Sequence, residues 1–251
     1  MEIAILNITV IVIGLILGSF INVLAYRLPN DMPVILSRSQ CPKCNMIIPL
    51  YRNIPIITYL AQAGKCHNCK QSISLQYPII EFLTATVLIF GFNNDWSNSE
   101  YILFIWSSCI LITISIIDFK TFTIPLKLII LFFLGELLFM IGNPSNIYNM
   151  LLGLFLGFGY LGLTFIITSI IYKKQTLGYG DLLLISVLGL WLGPINILIC
   201  IFSSSILGIL LWVVKSYQKA DNEKLPFGTY LSLNAILLKI ININFISYIN
   251  L

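Results

Sequence analysis

Residues 176–193 read TLGYGDLLLISVLGLWLG, with one carboxylate, Asp181, set behind a Gly-Tyr-Gly step and in front of a run of leucines. The meaning of that acid depends on the solvent around the leucines, and the rest of the chain decides it. The sequence is 58% hydrophobic and 10% charged, with a mean hydropathy of +0.95, against about 25% charged residues in an ordinary soluble domain. This is the composition of an integral membrane protein. A spanning helix needs about 20 apolar residues, and apolar windows recur at 3–25, 75–92, 101–117, 126–141, 149–171, 182–192, 195–214 and 228–249. Lipid leaves no backbone polar group unpaired, and the alternating pattern of a barrel is absent. The expected fold is therefore all-α and polytopic, with about eight transmembrane helices. Gly193-Pro194 reads either as a turn between two helices or as a kink in one, which would give seven. Asn234, Lys239, Asn242 and Asn244 interrupt the last window.

Charge orients the helices. Arg27, Arg38, Lys43, Arg52, Lys65 and Lys70 fall in segment 26–74 against one acid, Asp31, whereas NNDWSNSE at 93–100 carries Asp95 and Glu100 and no base. Lys120 and Lys127, then Lys173 and Lys174, then Lys215, Lys219 and Lys224 occupy every second gap, so all of the 14 Lys and Arg except Lys239 lie on one side. The positive-inside rule makes that side cytosolic and puts both chain ends outside. The opening MEIAILNITVIVIG has an acid and no basic n-region, so it reads as a retained helix rather than a cleaved signal. The net charge of +4 is thus a topology signal and a contact with anionic lipid, not a nucleic-acid signal. Three parts are expected: a first transmembrane helix (1–25), a cytosolic loop (26–74) and a membrane core of about seven helices (75–251).

That loop holds CPKC at 41–44 and CHNC at 66–69. Two C-x-x-C pairs at this separation match a tetrathiolate zinc site formed by Cys41, Cys44, Cys66 and Cys69. The metal would join two tight knuckles into a unit too small to hold together otherwise. Disulfides are the rival, disfavoured in a reducing compartment. His67 reads as a solvated bystander, and Cys109 and Cys200 as small core residues.

Four acids stand in apolar helices: Glu81, Asp118, Glu136 and Asp181. An intramembrane acid is a functional candidate by default. Glu136 lies about 15 Å along its helix at 1.5 Å per residue, whereas Asp118 and Asp181 are level with each other near the cytosolic surface. Two carboxylates brought together share a proton, so that one activates water while the other polarises a carbonyl. Gly178 and Gly180 would let a substrate backbone approach. Helix capping is the plain alternative for Asp181. It does not explain Asp118, which ends a helix where the dipole disfavours an acid. GFGYLG at 157–162 fits a dinucleotide fingerprint but follows no strand. With GLFLG at 153–157 and GLILG at 14–18 it reads as small residues that let helices pack closely.

GSFINVLAYRLP (18–29), SRSQCPKC (37–44), CHNC (66–69), YPIIEFLTA (77–85), IDFKTFTIP (117–125), GYGD (178–181) and PFGTYL (226–231) occur in this order. Together they resemble the type IV prepilin peptidases, bifunctional leader peptidases and N-methyltransferases of the GxGD membrane aspartyl protease class. The resemblance implies a multi-pass enzyme of the bacterial inner membrane with its active site facing the cytosol. Such an enzyme removes the basic leader of type IV prepilins or pseudopilins after a glycine and methylates the new amine with S-adenosylmethionine. Asp118 and Asp181 match the catalytic aspartates, and the four cysteines match the zinc-binding loop. Glu81 and Asn22 lie in matching motifs, where they would serve methyl transfer or substrate binding, or equally pair with another helix as buried polar groups. Leu126 replaces the usual Asp or Asn after Ile-Pro, Tyr179 replaces a frequent glycine, and the lysine often found after the second aspartate is missing. Two other classes are weighed against the enzyme. A proton-coupled transporter would use Asp118, Glu136 and Asp181 as a relay, and a zinc-bearing secretion scaffold would need no aspartate.

Overall fold

The computed structural model describes residues 2–34, 38–94, 96–173, 178–217 and 225–241. Lys174, Lys219, Lys224, Asp95, Ser37, Thr176, Leu177, Asn242 and Asn244, with the end of the last apolar window, lie outside the described residues. Among those described, the secondary structure is helical, with two isolated bridges and no strand. The chain divides into two compact units, Met1–Ser97 and Asn98–Leu251.

In the first unit α1 (Glu2–Arg27) packs along α3 (Gln76–Phe92), and the short α2 (Ile57–Ala61) lies in the segment between them. The glycines of GLILG make this packing possible. A Cβ on Gly14 would stand 2.5 Å from Cα of Ala85, and one on Gly18 would stand 2.6 Å from Cα of Glu81, so the two backbones approach as only glycine permits. Arg27, read above as a topology charge, is buried. Its guanidinium donates to the carbonyls of Pro33, Val34 and Arg38 at 3.3, 2.9 and 3.1 Å and so organises the start of the loop.

The second unit contains α4 (Asn98–Thr121), α5 (Leu126–Gly142), α6 (Ile147–Tyr172), α7 (Tyr179–Leu192), α8 (Pro194–Tyr217) and α9 (Phe227–Ile241). Its core forms around α4, where Phe104, Leu111, Ile112, Ile114 and Ile117 are fully enclosed and which packs against α5 and α9. Trp191 of α7 closes the core between Phe104 and Phe132, at 6.2 and 6.0 Å between ring centroids. Gly193 settles the turn-or-kink question. It adopts φ +78 and separates α7 from α8, a conformation glycine reaches without the penalty of a Cβ. Of the GFGYLG glycines only Gly157 packs, against Ile185 and Ile197. Gly159 and Gly162 meet nothing, whereas Gly153 and Gly189 bring the α6 and α7 backbones into direct contact.

Each of the eight apolar windows contains a helix, and four helical stretches, Ile3–Asn30, Asn98–Thr121, Pro144–Tyr172 and Pro194–Val214, are long and apolar enough to cross a membrane. Helices α3, α7 and α9 are apolar but shorter. Only 22% of the third stretch and 28% of the fourth are buried by protein. Apolar helix surface left uncovered on that scale calls for lipid. Among the described residues the fold is all-helical, with four helical stretches fit to span a membrane, and is compatible with a polytopic membrane protein.

Candidate active site and cysteine cluster

Asp118 sits in the last turn of α4, only 4% exposed. Its own carbonyl accepts the Phe122 N–H at 2.9 Å as the helix ends, and the chain turns through Thr123, Ile124 and Pro125 into α5. The first turn of α9 meets the side chain. Oδ2 of Asp118 accepts the Thr229 N–H at 2.7 Å and lies 3.1 Å from the Thr229 hydroxyl, which also stands 3.0 Å from the Ser115 carbonyl. A carboxylate that accepts a first-turn N–H caps the helix. Asp118 thus caps α9 from a neighbouring helix, and the N-terminal dipole of α9 offsets the unfavourable C-terminal dipole of α4.

Asp181 is half-buried in the first turn of α7 and accepts the Gly178 N–H, an intrahelical cap. The two carboxylates come close enough to act on each other electrostatically. Glycines keep this junction tight. A Cβ on Gly178 would stand 2.9 Å from Oδ2 of Asp181, and one on Gly228 would stand 3.2 Å from Oδ2 of Asp118. Ile124 fills the space between the two helix starts. It lies 3.1 Å from a Cβ built on Gly180 and 2.7 Å from one built on Gly228. Thr229, Gly228 and Ile124 were present in the quoted motifs, but no periodicity or charge pattern singles them out.

Glu136 is not brought to this pair. Its carboxylate accepts from Ser107 at 3.2 Å, and Ser107 precedes Asp118 by about 16 Å along α4. It lines a cavity of about 150 Å³ with Glu100, Trp191 and Lys239. Lys239 is no interruption of its helix. It faces inward and donates to the Trp191 carbonyl at 3.0 Å, with its ammonium 5.6 Å from the indole centroid.

In the first unit, Asn22 donates to the Gly18 and Tyr77 carbonyls, each at 3.2 Å, and accepts from Gln76 at 3.1 Å, which ties α1 to the start of α3. Glu81 accepts the Ile56 N–H at 2.7 Å and a bond from the Ser19 side chain.

The four loop cysteines converge. The sulfurs of Cys41, Cys44, Cys66 and Cys69 all lie within 4.8 Å of one another, with Cys41 and Cys69 at 3.9 Å. A tetrahedral metal with bonds of about 2.3 Å needs sulfurs about 3.8 Å apart, and a disulfide needs about 2.05 Å. All four thiols are free, and the cluster fits a metal ion. The knuckles repeat each other: Asn45 and Lys70, each one residue past a C-x-x-C, have φ 56 and 57, and each donates to the carbonyl of the first cysteine of its pair. The Met46 backbone N–H and the Asn68 side chain pull the Cys44 thiol down to about 6, and the Cys69 and Asn68 backbone N–H groups lower Cys66, whereas Cys69, despite the Gln71 N–H, is pushed up to about 11 by burial and its three neighbouring thiols. Thiolates are the metal-binding form. His67 is exposed and outside the cluster.

Residues 12–94 match the bacterial peptidase A24 N-terminal domain, and residues 102–213 match the type IV leader peptidase family. The two matches fall one in each unit. The chain is 30% identical to a prepilin leader peptidase/N-methyltransferase of Pseudomonas aeruginosa over 89% of its own length and 86% of that protein. It is 31% identical to a type 4 prepilin-like proteins leader peptide-processing enzyme of Escherichia coli, over 89% of each. A prepilin leader peptidase/N-methyltransferase of Vibrio cholerae is 31% identical over 80% of this chain and 83% of its own. No solved structure matches significantly. With relatives at this identity aligned over nearly their whole length, and both halves of the chain matched, the protein belongs to the type IV leader peptidase family.

Proposed function

We propose that this protein cleaves the basic leader from type IV prepilin-like precursors at the cytosolic face of the bacterial inner membrane and N-methylates the residue exposed. What supports the peptidase reading is that Asp118, at the end of α4, and Asp181, at the start of α7, lie near enough to act on each other electrostatically. One carboxylate removes a proton from water as the oxygen attacks the scissile carbonyl, and the other gives its proton to the carbonyl oxygen. Collapse of the tetrahedral intermediate then breaks the C–N bond and returns a proton to the leaving amine. The substrate has a basic leader followed by an apolar helix, so its scissile bond lies at the membrane boundary. Eight membrane helices with the basic gaps on the cytosolic side hold that bond level with the aspartates, and positioning supplies much of the rate.

The cluster of Cys41, Cys44, Cys66 and Cys69 holds a structural zinc ion that braces the two knuckles. S-adenosylmethionine supplies the methyl group, and Asn22 and Glu81 support the packing of the N-terminal unit around which that activity is organised. The relay expected of a transporter lacks its middle member, because Glu136 pairs with Ser107 away from the aspartates.

The test is intact mass of a leader-bearing prepilin incubated with the purified protein in lipid. Wild type removes the leader, and adds one methyl when S-adenosylmethionine is present. Asp118→Asn and Asp181→Asn leave the leader in place. Cleavage by both variants would overturn the two-aspartate mechanism and return Asp181 to a helix cap, and no cleavage by wild type would leave the scaffold role.

A further inference from the structure

We propose that residues 51–60 form an interfacial anchor, seated among the headgroups of an anionic lipid bilayer. This segment lies between the two knuckles, in a loop whose composition suggests water on all sides. Yet Tyr51, Ile54, Ile57 and Leu60 recur every third residue and are 67, 46, 63 and 70% exposed. Ile57 and Leu60 share one face of α2, since residues three apart on a helix are neighbours. Scattered exposed apolar residues are unremarkable, but a regular series within ten residues marks a surface that something covers.

Three observations point to lipid. The first is depth. Ile56 has φ 58, an unusual conformation for a β-branched residue, and its N–H is held by the buried carboxylate of Glu81 at 2.7 Å. Glu81 lies five residues into α3, about 7.5 Å past the helix start. The segment is therefore pinned to the flank of an apolar helix below its first turn. The second is charge. Segment 32–80 contains Arg38, Lys43, Arg52, Lys65 and Lys70 and no acid, and basic residues beside a membrane are drawn to anionic headgroups at about 1 kcal/mol each. The third is amphipathic chemistry. The Arg52 guanidinium stands 5.4 Å from the Tyr51 ring centroid, and such pairs place an apolar ring and a charge where lipid meets water.

Insertion of Ile57 and Leu60 into the headgroup region fixes the loop against the membrane independently of any peptidase activity. A protein surface contacting this face would instead need acidic residues to meet the bases.

The full-length protein carrying Leu60→p-benzoylphenylalanine, reconstituted in nanodiscs of phosphatidylglycerol and phosphatidylethanolamine, tests this on irradiation. A parallel sample carries the same photoreactive group at His67, an exposed knuckle position outside the cysteine cluster. Phospholipid adducts, read by mass, are expected at position 60 in at least about fivefold excess over position 67. Equal or absent lipid adducts would overturn the anchor. So would capture of a co-reconstituted prepilin at position 60 in place of lipid, which would make the face a substrate surface. Metal content equal to wild type in both samples shows that the knuckles are intact.

Discussion

Thr229 places its backbone N–H 2.7 Å and its hydroxyl 3.1 Å from the same oxygen, Oδ2 of Asp118. The backbone bond survives any side chain except proline, so the hydroxyl can be examined alone. A hydrogen bond to a charged group contributes about 1.5–3 kcal/mol, and sharing with the Ser115 carbonyl puts this one at the low end. Thr229→Val is expected to lower kcat for leader removal about tenfold with KM little changed, and Thr229→Ser to stay near wild type. Steady-state kinetics on a prepilin decide it, and an unchanged kcat in the valine variant would remove Thr229 from the site.

The cysteine cluster has a pH dependence in which Cys44, a lowered thiol, opposes the raised Cys69 and sets the acid limb. Cys44 falls from 9.0 to about 6 in the folded loop, chiefly through the Met46 N–H. A lowered thiol favours the folded knuckle fully above the unfolded value of 9.0 and loses that effect as pH falls through about 6. Protons and metal compete for the same sulfur. Metal held at pH 7.5 is therefore expected to be released increasingly below about pH 6, as read by a chromophoric chelator. Cys41→Ser or Cys66→Ser should lose the metal at pH 7.5 as well. Retention by either variant would argue against a four-sulfur site.

Gly153 and Gly189 meet backbone to backbone where α6 crosses α7, and a Cβ on either would run into the carbonyl of the other. Overpacking of a tight contact costs about 1–3 kcal/mol. Gly153→Ala and Gly189→Ala should each lower thermal stability in detergent. Gly159→Ala and Gly162→Ala, where nothing lies within 4 Å, should leave it equal or slightly raised, since alanine favours helix over glycine by about 1 kcal/mol. Equal losses at all four positions would refute the packing account.

The helices were legible in the sequence because apolar windows and alternating basic gaps both follow from the lipid solvent, which acts on every residue alike. The cysteine cluster was legible because C-x-x-C is a local geometric unit, and Asp118 and Asp181 stood out as candidates because carboxylates are rare in such segments. Thr229 and Ile124 were not. Their importance lies in α9 starting beside the end of α4, a tertiary juxtaposition with no local signature. Lys239 was misread for the opposite reason. A lysine in an apolar helix looks like a defect until its partners, here the Trp191 carbonyl and the electrostatic pull of Glu136, are seen.

Lys239 and Glu136 supply the last prediction. Both face the same cavity, Lys239 bonded to the Trp191 carbonyl and Glu136 to Ser107, and one Glu136 oxygen, Oε2, has no hydrogen-bond partner among the described residues. Removal of one member of a buried charge pair strands the other and costs about 3–5 kcal/mol, whereas removal of both is close to neutral. Lys239→Met alone should therefore destabilise the protein strongly, and the double variant Glu136→Gln with Lys239→Met should recover most of the loss. Thermal unfolding of wild type, both single variants and the double variant forms a closed cycle. Additive losses would show that the two charges do not interact and that Lys239 is held by Trp191 and Glu100 without Glu136.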